Sequence, residues 1–134
     1  MQLDNTLYAA AQIVHNFGAV AVVGLPIAAI VFEAEAATLR KIHWLALAAW
    51  LAQVASGVGF GMVSYFIVGE LPQLEAIALA ALCVKILCAL VSVLLLVATL
   101  GQRLEGVAST TILRSLAGLG SLALFCAAIL RWFS

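Results

Sequence analysis

Lys85 lies near the middle of an apolar run, residues 77–100, that is long enough to cross a bilayer. An ammonium group at that depth costs about 2.5 to 3.5 kcal/mol on insertion scales, so an ionisable side chain there marks a functional site by default. His15 holds a comparable place in the first apolar run. Tyr8, Gln12, His15 and Ala19 step by four, three and four, which puts them on one side of a helix. That side is expected to face other helices, because lipid would leave Gln12 and His15 without hydrogen-bond partners. At about 1.5 Å of rise per residue, His15 and Lys85 each lie roughly 10 to 15 Å below the outer surface, with Met62 and Cys126 near the same level. Sites in helical bundles are assembled in this way, from side chains on facing helices.

The chemistry open to this set follows from its donors. His15 can act as a ligand through a neutral imidazole. Lys85 can pair with an anionic group such as a propionate, or with a quinone oxygen, and Gln12 shares the His15 face. As a metal site the set would be His15 with Met62 and Cys126, since soft sulfur ligands suit monovalent copper. A lysine beside such an ion repels it, so Lys85 fits an anionic cofactor better. Each residue also has a plain structural reading. His15 can simply bond a neighbouring helix, Lys85 can climb toward the headgroups, and buried cysteines commonly behave as small hydrophobes. Cys83, Cys88 and Cys126 form no CxxC pair, and an odd number gives no disulfide framework. His43 reads as an interfacial residue about 25 Å from His15 by helical rise, which disfavours a bis-histidine haem within one chain. There is no HExxH, phosphate loop, Ser/His/Asp set or intramembrane carboxylate pair, so the residues lean away from catalysis.

These side chains need helices to hold them, and composition supplies the class. Of 134 residues 66% are hydrophobic and 9% charged, with a formal net charge of zero, which leaves almost no polar face for a soluble fold. The apolar residues fall into four blocks, about 8–32, 43–68, 77–100 and 111–133, each near the 20 residues that cross the hydrocarbon. The expectation is an all-α integral membrane four-helix bundle, a single domain over 1–134, with the lipid bilayer as its surroundings and no footprint for nucleic acid. The start, with Asp4 and no Lys or Arg before the first span, reads as the outer tail of a retained helix rather than a cleaved signal. Arg40, Lys41, Arg103 and Arg114 gather at one end and only Arg131 at the other, so the first and third loops are expected in the cytoplasm and both termini outside. Asp4, Glu70 and Glu75 then face outward, and Pro72 sits in the tight acidic turn 70–75. Pro26 is expected to kink the first helix and free a carbonyl one turn back. Gly57 and Gly61 form a GxxxG pair, expected to pack against a helix of the same chain rather than form a dimer seam.

Four stretches also carry a resemblance: residues 13–26 (IVHNFGAVAVVGLP), 56–59 (SGVG), 84–96 (VKILCALVSVLLL) and the closing helix. Together they look like the four-helix core of copper resistance protein D (CopD)-like membrane proteins, and more distantly they are similar to HemJ-type protoporphyrinogen oxidases. Both families tend to have a histidine early in a first helix and a lysine within an apolar helix, here His15 and Lys85. Of the tryptophan and glycine expected after the histidine only Gly24 is represented, and the arginine and second histidine of the HemJ pattern are missing. The resemblance implies a small bacterial-type inner-membrane protein handling a metal ion or redox cofactor, copper or haem among them, around His15 and Lys85. The alternative from another class is a noncatalytic accessory subunit packing in a larger membrane complex; the partners expected are such a complex or further copies of the chain in a homo-oligomer. A HemJ-like haem-associated oxidoreductase comes third.

Overall fold

The computed structural model describes residues 2–68 and 74–133, so Glu70 and Pro72, the Asp4 side chain and most of the expected acidic turn lie outside the described residues. The described chain forms four α-helices: α1 (Gln2–Val31), α2 (Ala36–Val68), α3 (Ala76–Leu100) and α4 (Ser109–Trp132). All four are long and apolar enough to span a membrane. This is the expected all-α, multi-pass membrane bundle. The first two helices begin before their apolar blocks. α1 takes in the polar start and α2 starts seven residues ahead of His43, at Ala36. The reason is that apolarity marks where lipid begins, whereas the backbone ladder continues into water as long as the residues permit it.

Short turns set the order of helices around the bundle. α1 ends at Glu33, where the Glu33 N–H bonds the Ile30 carbonyl at 3.3 Å and the Ala34 N–H bonds the Ala29 carbonyl at 3.1 Å. This is a Schellman closure with Glu33 left-handed at φ 47°. α3 ends the same way: the Gln102 N–H bonds the Thr99 carbonyl at 3.1 Å, and the Arg103 N–H bonds the Ala98 carbonyl at 2.9 Å. Gln102 takes the left-handed position at φ 57°. Such tight reversals return the chain antiparallel to itself. α1 packs on α2 and α4, and α3 packs on α2 and α4, while the diagonal pairs make no close backbone approach among the described residues. The result is a four-cornered up-and-down bundle.

Two glycines set how closely the corners meet. A Cβ on Gly18 would lie 2.6 Å from Nε2 of Gln53, so α2 can press onto α1 there only because the side chain is absent. A Cβ on Gly120 would lie 2.9 Å from the Val22 carbonyl oxygen. That oxygen is the group one turn back from Pro26, which has no N–H to bond it, and α4 covers it through Gly120. The GxxxG pair behaves otherwise. Gly57 and Gly61 would meet nothing within 4 Å, so the expected packing inside the chain does not form. They lie on the side of α2 away from Ser56 and Phe60, with Val58 and Met62 exposed beside them.

The apolar core fills the other half of the bundle. Val22, Ala46, Trp50, Leu96 and Leu116 are buried together, and Trp50, Leu96 and Leu116 are fully enclosed. At full burial a Leu side chain contributes roughly 1.5 to 3 kcal/mol. In a bilayer that term largely vanishes, because lipid is equally apolar, and close packing takes its place. Toward the end of the bundle that carries the chain termini this core gives way to polar groups.

Candidate functional site

The polar groups converge from three helices. His15 on α1 sets Nδ1 2.8 Å from Ser56 Oγ on α2. The Ser56 hydroxyl donates back to the Ala52 carbonyl at 2.6 Å, as serines in helices commonly do. With its one proton directed there, Ser56 Oγ receives the Nδ1–H of His15, which makes Nε2 the lone-pair nitrogen of a neutral ring. Lys85 on α3 meets that nitrogen: its Nζ stands 3.3 Å from His15 Nε2. The bonds therefore run in one direction, from the Lys85 amine to the imidazole, from the imidazole to Ser56, and from Ser56 to a backbone carbonyl. α1 and α3 are diagonal partners, so the contact crosses the centre of the bundle.

Two further residues hold the ring in place. Gln53, buried at 7% exposure, donates its amide to the His15 carbonyl oxygen. Its place against Gly18 is the close approach described above, so the glycine admits the glutamine that clamps the histidine. Toward the termini Phe60 packs edge-on against the imidazole, with ring centroids 5.5 Å apart, and in turn stacks tilted on Tyr8 at 5.1 Å. His15 and Lys85 are half-buried. The site thus has a floor of Gln53 and Ser56 and an aromatic cover.

Of the residues expected at the site, His15 and Lys85 come together. Cys126 is a buried free thiol on α4 and makes no hydrogen bond to either of them among the described residues. Gln12 bonds elsewhere: its Nε2 donates to Asn16 Oδ1 at 3.1 Å, one turn along α1 and on the exposed side. Met62 is 53% exposed, six residues along α2 beyond Ser56. Gln53, Ser56 and Phe60 complete the site, and of these the sequence marks only Ser56, at the head of the SGVG stretch and not as a site residue. The signal for the first two was their spacing: residues 53 and 56 are polar one helical turn apart within an apolar run.

The donor set decides what fits. Among the described residues no three His, Cys, Asp or Glu side chains gather as a metal-binding group. The Nε2 lone pair of His15 is already taken by the Lys85 amine, and a cation placed there would displace it. A haem held between two histidines of one chain does not fit either, since His43 lies thirteen residues from Ser56 along α2, about 20 Å by helical rise. An amine fixed across the bundle by one of its hydrogens still has donors for an oxygen acceptor, and a carboxylate or a quinone carbonyl meets that need.

Away from this cluster, three buried polar atoms find no partner among the described residues: His43 Nε2, Trp50 Nε1 and Ser92 Oγ. His43 also lines a cleft of about 210 Å³ with Arg40, Thr99 and Ser109, at the opposite end of the bundle. No protein-family model, curated protein or solved structure matches the chain.

Proposed function

We propose that this chain is a small multi-pass membrane protein of CopD-like type that holds an oxygen-bearing redox cofactor, of the quinone or carboxylate class, at an outer-half intramembrane site on Lys85 and His15. The observation that carries the reading is the directed bond from Lys85 Nζ to His15 Nε2 across the bundle diagonal. An amine so placed is held at a depth from which a free lysine would snorkel away. It remains a hydrogen-bond donor toward a ligand oxygen. His15 serves as the positioning group, with Ser56 fixing its tautomer and Gln53 fixing its backbone. When bound, the cofactor would supply the redox chemistry; the protein supplies a donor, a fixed imidazole and a water-poor surround. The basic residues of the first and third loops support an orientation with both termini outside, in a bacterial-type inner membrane.

A second reading, an accessory subunit packed in a larger membrane complex, draws on the open Gly57–Gly61 face of α2, where an added Cβ would meet nothing within 4 Å among the described residues. The experiment that separates the two is an absorption spectrum, elemental metal analysis and quinone extraction of the protein in mild detergent, beside His15→Ala and Lys85→Met. Near-stoichiometric quinone or chromophore in the wild type, lost in both variants, is the expected result. A colourless, metal-free and quinone-free preparation would overturn the cofactor reading and leave the accessory subunit ahead.

A further inference from the structure

The Gln12–Asn16 pair stands in the wrong solvent. Asn16 is exposed, eight residues along α1 from Tyr8, which places it about 12 Å into a hydrocarbon layer about 30 Å thick. Gln12 donates one amide hydrogen to Asn16 Oδ1 at 3.1 Å. Among the described residues, the Asn16 Nδ2 hydrogens and the Gln12 Oε1 have no bond. Water could satisfy them on a soluble protein, but the bilayer core offers no such partner. Free amides in lipid call for a second polar surface at the same depth.

The rest of the face states what kind of surface. Gln12, Asn16, Val20 and Gly24 follow one another at intervals of four, along a single ridge of α1. Val20 is 69% exposed, and a Cβ on Gly24 would meet nothing within 4 Å. This ridge points away from α2 and α4, against which the other side of α1 packs through Gly18 and Val22. Among the described residues no element covers it.

We propose that this ridge is the seam of a parallel homodimer, in which Asn16 of one copy bonds Asn16 of a second copy. Three properties favour a copy of the same chain over a different protein. A primary amide carries both donors and an acceptor, so it is complementary to itself. Two copies inserted in one orientation hold Asn16 at the same depth, so a twofold axis along the membrane normal brings the two amides face to face without adjustment. Gly24, two turns further on, lets the backbones close together, as small residues do at right-handed helix crossings in membranes. The inference goes beyond the cofactor reading and does not depend on it. It is also separate from the Gly57–Gly61 face, which lies on another helix.

The test uses the full chain in phosphatidylcholine vesicles, with energy transfer between fluorophore-labelled copies read over a range of protein-to-lipid ratios. Wild type should dimerise. Asn16→Leu should weaken the dimer at least about tenfold, whereas Asn16→Gln, which keeps the amide, should retain most of it. Asn16 is exposed, so the leucine does not enter the core, and a helical circular dichroism signal confirms that it folds. A second measurement leaves Asn16 in place. In a Cys83→Ser background, Val20→Cys should give an oxidative dimer and Leu94→Cys, on the exposed face of α3, should not. A monomeric wild type, an unchanged Asn16→Leu dimer or equal cross-linking at both positions would overturn the proposal. So would cross-linking of the Val20→Cys protein to a different membrane protein in native membranes in place of its own copy.

Discussion

Lys85 and His15 meet at 3.3 Å although they belong to α1 and α3, which stand at opposite corners of the bundle. Only long side chains pointing at the common axis can close that gap. The contact therefore ties together two helices whose backbones stay apart, and it fixes the histidine tautomer from one side while Ser56 fixes it from the other. In histidine-selective 15N spectra His15 should show a protonated Nδ1 and an unprotonated Nε2. Lys85→Met should shift Nε2 and leave Nδ1 bonded. A protonated Nε2 in the wild type would contradict the direction of the chain.

The close approaches rank the glycines. Gly120→Ala sets a methyl against the Val22 backbone, which cannot move aside, and should cost about 1 to 3 kcal/mol, in the usual range for overpacking. Gly18→Ala meets a side chain instead, but displacing Gln53 also breaks its bond to the His15 carbonyl, so some loss is expected there too. Gly57→Ala and Gly61→Ala should be nearly neutral. Denaturation in mixed micelles measures all four, and a neutral Gly120→Ala would mean that α4 does not press on α1 at this point.

Glu33 and Gln102 occupy left-handed positions that glycine takes at no steric cost. Glu33→Gly and Gln102→Gly should each leave the fold intact and raise stability by up to about 1 kcal/mol. The gain is read in the same unfolding assay. A marked loss in either variant would show that the side chain carries a contact beyond the turn.

Ser92 is fully enclosed, with a hydroxyl that finds no partner among the described residues. Removing an unpaired buried polar atom relieves its desolvation penalty, so Ser92→Ala should be neutral to stabilising by about 1 kcal/mol. A destabilised Ser92→Ala protein would indicate a bound water at this hydroxyl, visible as a slowly exchanging solvent signal.

The three cysteines differ in access: Cys83 is exposed and Cys88 and Cys126 are buried. A lipid-soluble maleimide should label one thiol per native chain and three after unfolding in sodium dodecyl sulfate. Labelling of Cys126 in the native protein would mean that the Lys85 end of the core opens readily.

The sequence by itself determined the solvent and the number of crossings. Four apolar blocks of about 20 residues have one stable arrangement in lipid, because every backbone N–H and C=O must bond within its own helix. It also put His15 and Lys85 at one depth, where they do meet, since rise along a helix is fixed at about 1.5 Å per residue. Rotation of each helix about its axis was another matter. Gln12 and His15 lie on one face by counting, yet His15 turns to Ser56 and Lys85 while Gln12 turns to Asn16. A few tens of degrees separate the two outcomes, and packing against neighbours sets that angle. Gly18 and Gly120 look like Gly57 and Gly61 in a sequence, but only the first pair meets another helix. Which small residue is a contact depends on where a second backbone passes. The role of Gln53 is hidden for the same reason: an amide one turn from Ser56 gains its meaning from the carbonyl across from it, and that carbonyl belongs to a residue 38 positions away.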